Sequence, residues 1–432
     1  MFGRLTSISS ISSVALLGYL SVVAAAPSTK TKRDSGPYAS CRTFYADIYA
    51  ETTQNADLKS VIGGPPASQQ VLVEASIQQF AAGSEVMAQI MNATKIPVSG
   101  SYSLWFEYCE PINSNGNVTG IFQTHHGLVG NAGYWNVQLD NSPNNSFAEA
   151  AAQAGWATLS YDRLGVGRSA KPDGTNVVQI PFETAQSASI AQSLRAGNLS
   201  DIGIFDKIVG IGHSYGSNLL AGVASVAPSS FDALILTGFT NNATQGPLGL
   251  FAFQSTIASV AYPSRFSADA NDYVITPNMY VDQTGFFHYP NYTDAALSMF
   301  TMTKGEYTLG QQNSIAAALQ LKNNYTAPVF VVTGEFDAPY CAANCYVTSS
   351  SSGNSTSTSS SSSSSMMGNN STTGSNQQQQ PPSQLDTAKE VFPSSTNFQT
   401  YVVPDTAHGI NYHTTAYAAY QQILQFVQSA NI

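Results

Sequence analysis

Residues 207 to 225 read KIVGIGHSYGSNLLAGVAS. A β-branched apolar run, Ile208 to Ile211, passes through Gly212-His213-Ser214-Tyr215-Gly216 into a stretch of small and apolar residues with helical composition. The five central residues fit G-x-S-x-G, a short pattern that gains its meaning from standing between a strand and a helix. A serine projecting above a sheet at such a junction needs a sharp, strained turn. Small neighbours at Gly212 and Gly216 relieve the clashes that this turn makes with the adjoining strand and helix. The turn also sets Ser214 at a helix N-terminus, where the N–H of Tyr215 faces an oxygen that becomes negative during acyl transfer.

A serine hydroxyl is a weak nucleophile at neutral pH and needs a base within hydrogen-bond reach. Of the six histidines, His125 and His126 precede Ser214 in an expected turn, and His213 belongs to the bend itself. His288 falls in an aromatic insertion, and His413 is expected on the final helix. His408, in TYVVPDTAHGINYH, follows the last strand on a loop able to reach Ser214, and is the candidate base with His413 as its competitor. The base needs a carboxylate to fix its tautomer. In APVFVVTGEFDAPYC a β-run ends at Gly334 and Asp337 follows at its tip, with Glu335 the alternative. Asp405 lies too close to His408 in sequence. The order Ser214, Asp337, His408 is that of a strand–turn–helix serine site.

A second donor for the oxyanion is expected from GIFQTHHGLVGNAGYW, where His126-Gly127 permits a tight turn and the N–H of Leu128 faces the site. In SYDRLGVGRSAKP, Asp162 reads as a loop brace, through turn hydrogen bonds or a pair with Arg163.

Around these residues, β-branched and aromatic runs alternate with Ala-rich helical stretches, the pattern of a largely parallel α/β sheet. Candidate strands span 102–108, 118–123, 156–161, 208–212, 233–237, 329–333 and 399–403. The core is expected over 96–240 and 326–432, with a helical cap inserted at 241–325 that is rich in Phe, Tyr, Met and Pro. Residues 34–95 form an N-terminal extension, mostly helix-compatible and without a motif. Residues 347–383 are dominated by Ser, Asn and Gln, with too little apolar content to fold, and read as a disordered insertion.

The first 26 residues carry Arg4, an apolar run and Ala24-Ala25-Ala26, which reads as a secretory signal peptide, and Lys32-Arg33 suggests a propeptide over 27–33. The expected location is therefore extracellular. The apolar run is too short to cross a bilayer, so no membrane anchor is expected. Asn-x-Ser/Thr acceptors at Asn92, Asn117, Asn144, Asn198, Asn242, Asn291, Asn324, Asn354, Asn369 and Asn370 make N-glycans expected. Four cysteines allow three pairings. The favoured ones are Cys341 with Cys345 as a local loop and Cys41 with Cys109 as a staple of the extension. A metal site at the Cys341/Cys345 pair is disfavoured, because no histidine neighbours it. A net charge of -10 with 10% charged residues excludes the basic footprint of a nucleic-acid binder.

With these residues in place, the sequence resembles secreted fungal members of the α/β-hydrolase superfamily, of the AB hydrolase-1 type, from about Tyr102 to the C-terminus. The resemblance rests on His126-Gly127, the run Tyr161 to Gly167, Gly212 to Gly216, Gly334 to Asp337, and Ala407-His408-Gly409. It implies an eight-stranded, mostly parallel sheet flanked by helices, chemistry without a cofactor, and a triad of Ser214, Asp337 and His408. It names no substrate. The residues point to acyl transfer on a small-molecule or lipid ester, with a peptidase or acyltransferase on the same triad, or a non-catalytic binding protein that keeps the fold, as alternatives.

Overall fold

Parallel strands covered on both faces are built from near-continuous apolar runs, and the central strands here follow that rule. The computed structural model describes residues 32–33, 36–112, 118–139, 142–242, 246–319, 323–346 and 381–432. In chain order the strands are β1 (Lys32–Arg33), β2 (Ala39–Ala56), β3 (Lys95–Pro111), β4 (Ile121–His125), β5 (Ala157–Tyr161), β6 (Ile208–His213), β7 (Ala233–Thr237), β8 (Thr256–Ile257), β9 (Tyr273–Ile275), β10 (Tyr307–Thr308), β11 (Val329–Gly334) and β12 (Phe398–Val403). Every residue of β4, β5, β6, β7 and β11 is buried.

The main sheet runs β1-β2-β3-β5-β4-β6-β7-β11-β12. From β5 to β12 the pairings are parallel, while β1, β2 and β3 join antiparallel. The seven candidate strands correspond to β3, β4, β5, β6, β7, β11 and β12, β2 brings the sheet to the expected eight, and the two-residue β1 is added at the edge. Two helix pairs cover the sheet: Ile180–Ala196 with Tyr215–Val226, and Phe147–Gln153 with Ala416–Ser429.

The extension departs from its helical reading. Its first part is the long strand β2, paired along its length with β3 through a register that sets Cys41 opposite Cys109. These two cysteines are disulfide-bonded, as are Cys341 and Cys345. The helical reading failed because it passed over Thr43, Phe44, Tyr45, Ile48, Tyr49, Thr52 and Thr53, strand-favouring residues interspersed with Ala, which pairing with β3 draws into one long strand. The rest of the extension is helical, with helices at Lys59–Ile62, Gln69–Phe80 and Glu85–Met91.

The cap is not wholly helical. Its helices surround an antiparallel sheet ordered β10-β9-β8. The Gln69–Phe80 helix packs onto it: the Gln69 side chain donates to Ser255 O and accepts from Ile257 N, and Phe80 meets Phe251 at 5.8 Å between ring centroids. The signal peptide, most of the propeptide, the sequons at Asn117, Asn354, Asn369 and Asn370, and residues 347–380 of the Ser/Asn/Gln-rich stretch lie outside the described residues. The flanks of that stretch come together, since Gln384 N donates to Cys345 O at 2.8 Å. Among the described residues no helix is long and apolar enough to cross a membrane.

Candidate active site

Open α/β sheets collect ligands beyond the carboxyl ends of their parallel strands. Ser214 follows β6, Leu128 follows β4, Asp337 follows β11 and His408 follows β12, so the sheet delivers all four to one edge. Ser214 adopts φ 56° and ψ -117°, the strained turn that the glycines allow. A Cβ at Gly212 would lie 2.4 Å from Gly216 O, and one at Gly216 2.2 Å from His125 O. Both contacts are with backbone that cannot step aside. The helix Tyr215–Val226 starts directly after the serine.

The His408 Nδ1 and Asp337 Oδ2 are 2.6 Å apart, and both side chains are fully buried. A carboxylate only accepts, so Nδ1 carries the proton and Nε2 presents a lone pair. That Nε2 is buried and has no hydrogen-bond partner among the described residues. The other Asp337 oxygen accepts from Tyr340 N at 2.9 Å, capping the turn Ala338–Cys341. The His408 ring is enclosed by His213 at 4.6 Å, Phe286 at 5.5 Å and Tyr340 at 5.7 Å between ring centroids. Glu335 is turned away and accepts from Asp405 N.

The other histidines are structural. His413 precedes the last helix rather than lying on it. Its Nε2 accepts from His288 N and Ala407 N, bracing the loop that carries His408. Burial lowers its pKa to about 4. His125 closes β4 rather than sitting in a turn, and burial lowers its pKa to about 3. Burial first, and then the nearby His408, holds His213 well below the usual range.

The loop after β4 passes close to the serine: a Cβ at Gly127 would meet Ser214 Cβ at 3.0 Å. His126 Nε2 accepts from Arg163 N at 3.0 Å, so its Nδ1 holds the proton and donates to Gly127 O at 2.8 Å. Arg163 also donates to His126 O at 3.0 Å and to Gly127 O at 3.3 Å. In a trans peptide the C=O and the following N–H point oppositely, so fixing Gly127 O fixes the direction of Leu128 N–H.

Asp162 is hydrogen-bonded within its own loop, and its partner is Arg168 rather than Arg163. It accepts from Arg168 N and Nε and from Ala132 N. Arg163 is taken by Glu183, 2.5 Å away on the helix Ile180–Ala196. The sequence offered no sign of that partner, which arrives from the neighbouring helix.

Beside Ser214 lies a cavity of about 350 Å³ whose walls include Leu128, Leu250, Phe253, Ile315, Pro339 and Tyr340. Its described lining carries no acidic or basic side chain. Gln79, Met87 and Met91 of the extension also reach it, a contribution that their sequence did not signal.

Solved structures with a similar fold include a thermophilic esterase from Thermogutta terrifontis, at 12% identity over 77% of this chain and 96% of that one, with a TM-score of 0.45. Bromoperoxidase from Bacillus anthracis is 14% identical over 76% and 96%, with a TM-score of 0.46. A soluble variant of monoglyceride lipase from Saccharomyces cerevisiae is 13% identical over 76% and 92%, with a TM-score of 0.46. No curated protein matches the chain. The model of the alpha/beta hydrolase fold family matches residues 124–339, from the end of β4 through the bend at Ser214 to the turn after Asp337. That match takes in half of the 432 residues, and the chain belongs to the alpha/beta hydrolase fold family.

Proposed function

We propose that the protein is a secreted serine hydrolase that cleaves neutral, apolar carboxylic esters through an acyl-enzyme. The observation that carries this reading is the conjunction of Ser214 at its strained bend with a buried His408–Asp337 pair at the same sheet edge. Ser214 Oγ attacks the ester carbonyl carbon while its proton passes to His408 Nε2. The carbonyl electrons move onto oxygen, where the N–H groups of Leu128 and Tyr215 meet the new charge. Collapse expels the alcohol with the proton from His408, and water then releases the acid by the reverse sequence. Asp337 holds the Nδ1 tautomer throughout.

The uncharged cavity supports a neutral ester of small-molecule or lipid type, since a charged group would lose its hydration there without gaining a partner. Two disulfides suit an oxidising compartment and support secretion. Asn92, Asn144, Asn198 and Asn324 are exposed and are the favoured glycan acceptors.

A fluorophosphonate probe tests the nucleophile: the purified protein is expected to label covalently and Ser214→Ala is not. Labelling that persists in Ser214→Ala overturns the assignment. A panel of p-nitrophenyl esters of increasing acyl length tests the substrate class, and a flat response at background would remove the ester reading.

A further inference from the structure

The helix Glu85–Met91 of the N-terminal extension is fastened on one side by Ile90, which is buried in a cluster with Ala56, Leu58 and Ala93. Met87 and Met91 stand four residues apart on it, so their side chains share a face, and both reach the cavity that holds Ser214. Gln79, near the end of the preceding helix, reaches the same cavity, and its Nε2 donates to Asn313 Oδ1 of the cap at 2.7 Å. These two carboxamides satisfy one another, which removes a polar demand from the wall between the methionines and the cap. Met91 also lines a second, smaller cleft with Gln54, Lys95 and Gln179, which Ser214 does not reach. The methionines therefore stand at the end of the main cavity remote from the serine.

The wall of that cavity contains Ser214 and Leu128, whereas His408 is not part of its described lining. A leaving alcohol takes its proton from His408 Nε2 and departs on that side. The acyl group stays on Ser214 Oγ with its carbonyl oxygen toward Leu128 N–H, so the cavity takes the acyl arm. A water-sized group occupies about 30 Å³ in a liquid, so the space holds about a dozen non-hydrogen atoms.

We propose that Met87 and Met91 are specificity-determining residues that close the end of an acyl pocket, and that the substrate's acyl group is a medium-length fatty chain of about eight to twelve carbons. This rests on the serine hydrolase reading above. Methionine is unbranched and polarizable, so two of them make an end wall that adapts to a chain terminus. The described lining carries no acidic or basic side chain, which admits a methyl end and penalises a charged one. Each methylene buried raises kcat/KM by up to about 4-fold until the tail meets the methionines.

With p-nitrophenyl butyrate, decanoate and hexadecanoate as probes, the parent protein is expected to prefer the decanoate. Met87→Trp fills the end of the cavity and should lower the decanoate-to-butyrate ratio of kcat/KM by about 10-fold. Met87→Ala/Met91→Ala opens it and should raise the hexadecanoate-to-decanoate ratio by about 10-fold. Each readout is a ratio on one sample, so loss of active protein cancels. If Met87→Trp does not fold, the double alanine variant, which only removes atoms, carries the test. Ratios that stay at the parent's values overturn the role of the methionines and leave the serine reading standing. A parent that hydrolyses all three esters alike overturns the acyl pocket. If the parent neither labels with the fluorophosphonate probe nor turns over any ester, the serine reading itself falls.

Discussion

Arg163 and Glu183 meet at 2.5 Å with neither side chain exposed, and the pair reaches both proposed oxyanion donors. Arg163 holds the carbonyls of His126 and Gly127, which aims Leu128 N–H. Glu183 accepts from the Tyr215 hydroxyl at 2.6 Å and from Gln311, while the Arg163 guanidinium lies 4.3 Å from the centroid of the Tyr215 ring. One buried pair thus spans the β4 loop and the start of the helix after Ser214.

Arg163→Met leaves the Glu183 carboxylate buried without its cation, a loss of about 3–5 kcal/mol in stability. It also removes one of the two donors on Gly127 O, leaving His126 Nδ1, and the one side-chain donor on His126 O, so the expected fall in kcat is about 10-fold, below the loss of a whole oxyanion donor. The double variant Arg163→Met/Glu183→Gln should regain much of the stability but not the kcat. Urea unfolding and ester kinetics on the same samples read the two effects separately. Activity restored along with stability would show that the pair only supports the fold.

Gly216→Ala should be far more damaging than its single methyl suggests. The new Cβ would press on His125 O at 2.2 Å, so β4 and the helix after Ser214 would have to separate. Overpacking of this kind costs about 1–3 kcal/mol or more. Gly64→Ala is the control, because nothing lies within 4 Å of a Cβ there, and its effect should stay within about 0.5 kcal/mol. Comparable melting temperatures for the two variants would contradict the contact.

The bend at Ser214 was legible because it is local. Strand, glycines, serine and helix occupy one short stretch, and their spacing is dictated by clashes between neighbours. Asp337 was legible for a similar reason, as the tip residue of an apolar run. Glu183 and Tyr340 were not legible, since each acquires its place only when a separate helix or turn packs against the serine. The strand β2 was hidden by its irregular pattern. Its buried set shifts phase between Cys41 and Phe44, breaking the alternation that would have marked it.

Stability should fall as the solution is acidified from pH 6.5. Burial holds His413 near 4 and His125 near 3, and keeps His126 and His213 well below 6.5. Between those values and 6.5 the unfolded chain binds protons that the native chain refuses. The stability from these neutral rings is thus complete above 6.5 and is lost as pH drops through the folded values. Each histidine contributes up to about 1.4 kcal/mol for each pH unit in that window. The buried acids Glu149, Glu183, Glu306 and Asp272, raised chiefly by burial, act in the opposite sense, but each is opposed by a partner that favours its charged form: backbone N–H groups at Glu149, Arg163 at Glu183, Lys171 at Glu306 and Thr175 at Asp272. The histidines therefore dominate, and the melting temperature should decline between pH 6.5 and 5. A level curve across that range would mean that the rings are hydrated.

The cap holds the loop that carries His408 through a buried charge. Lys304 Nζ and Asp282 Oδ2 are 2.7 Å apart with both side chains fully buried, and Asp282 also accepts from Thr276 and Thr301. Asp282 lies on the helix Met279–Phe286, whose last residue rests on the His408 ring and accepts from Gly409 N at 2.8 Å. Asp282→Asn removes the countercharge while keeping the shape, so the Lys304 ammonium is stranded in the cap at a cost of about 3–5 kcal/mol. The penalty should concentrate where the pair sits, loosening the helix that touches His408 before the sheet unfolds. Amide exchange is expected to rise over 279–303 and at Gly409, with β6 and β7 still protected, and kcat to fall with it. Uniform exchange across cap and sheet would mean that the pair stabilises the whole molecule and has no particular hold on His408.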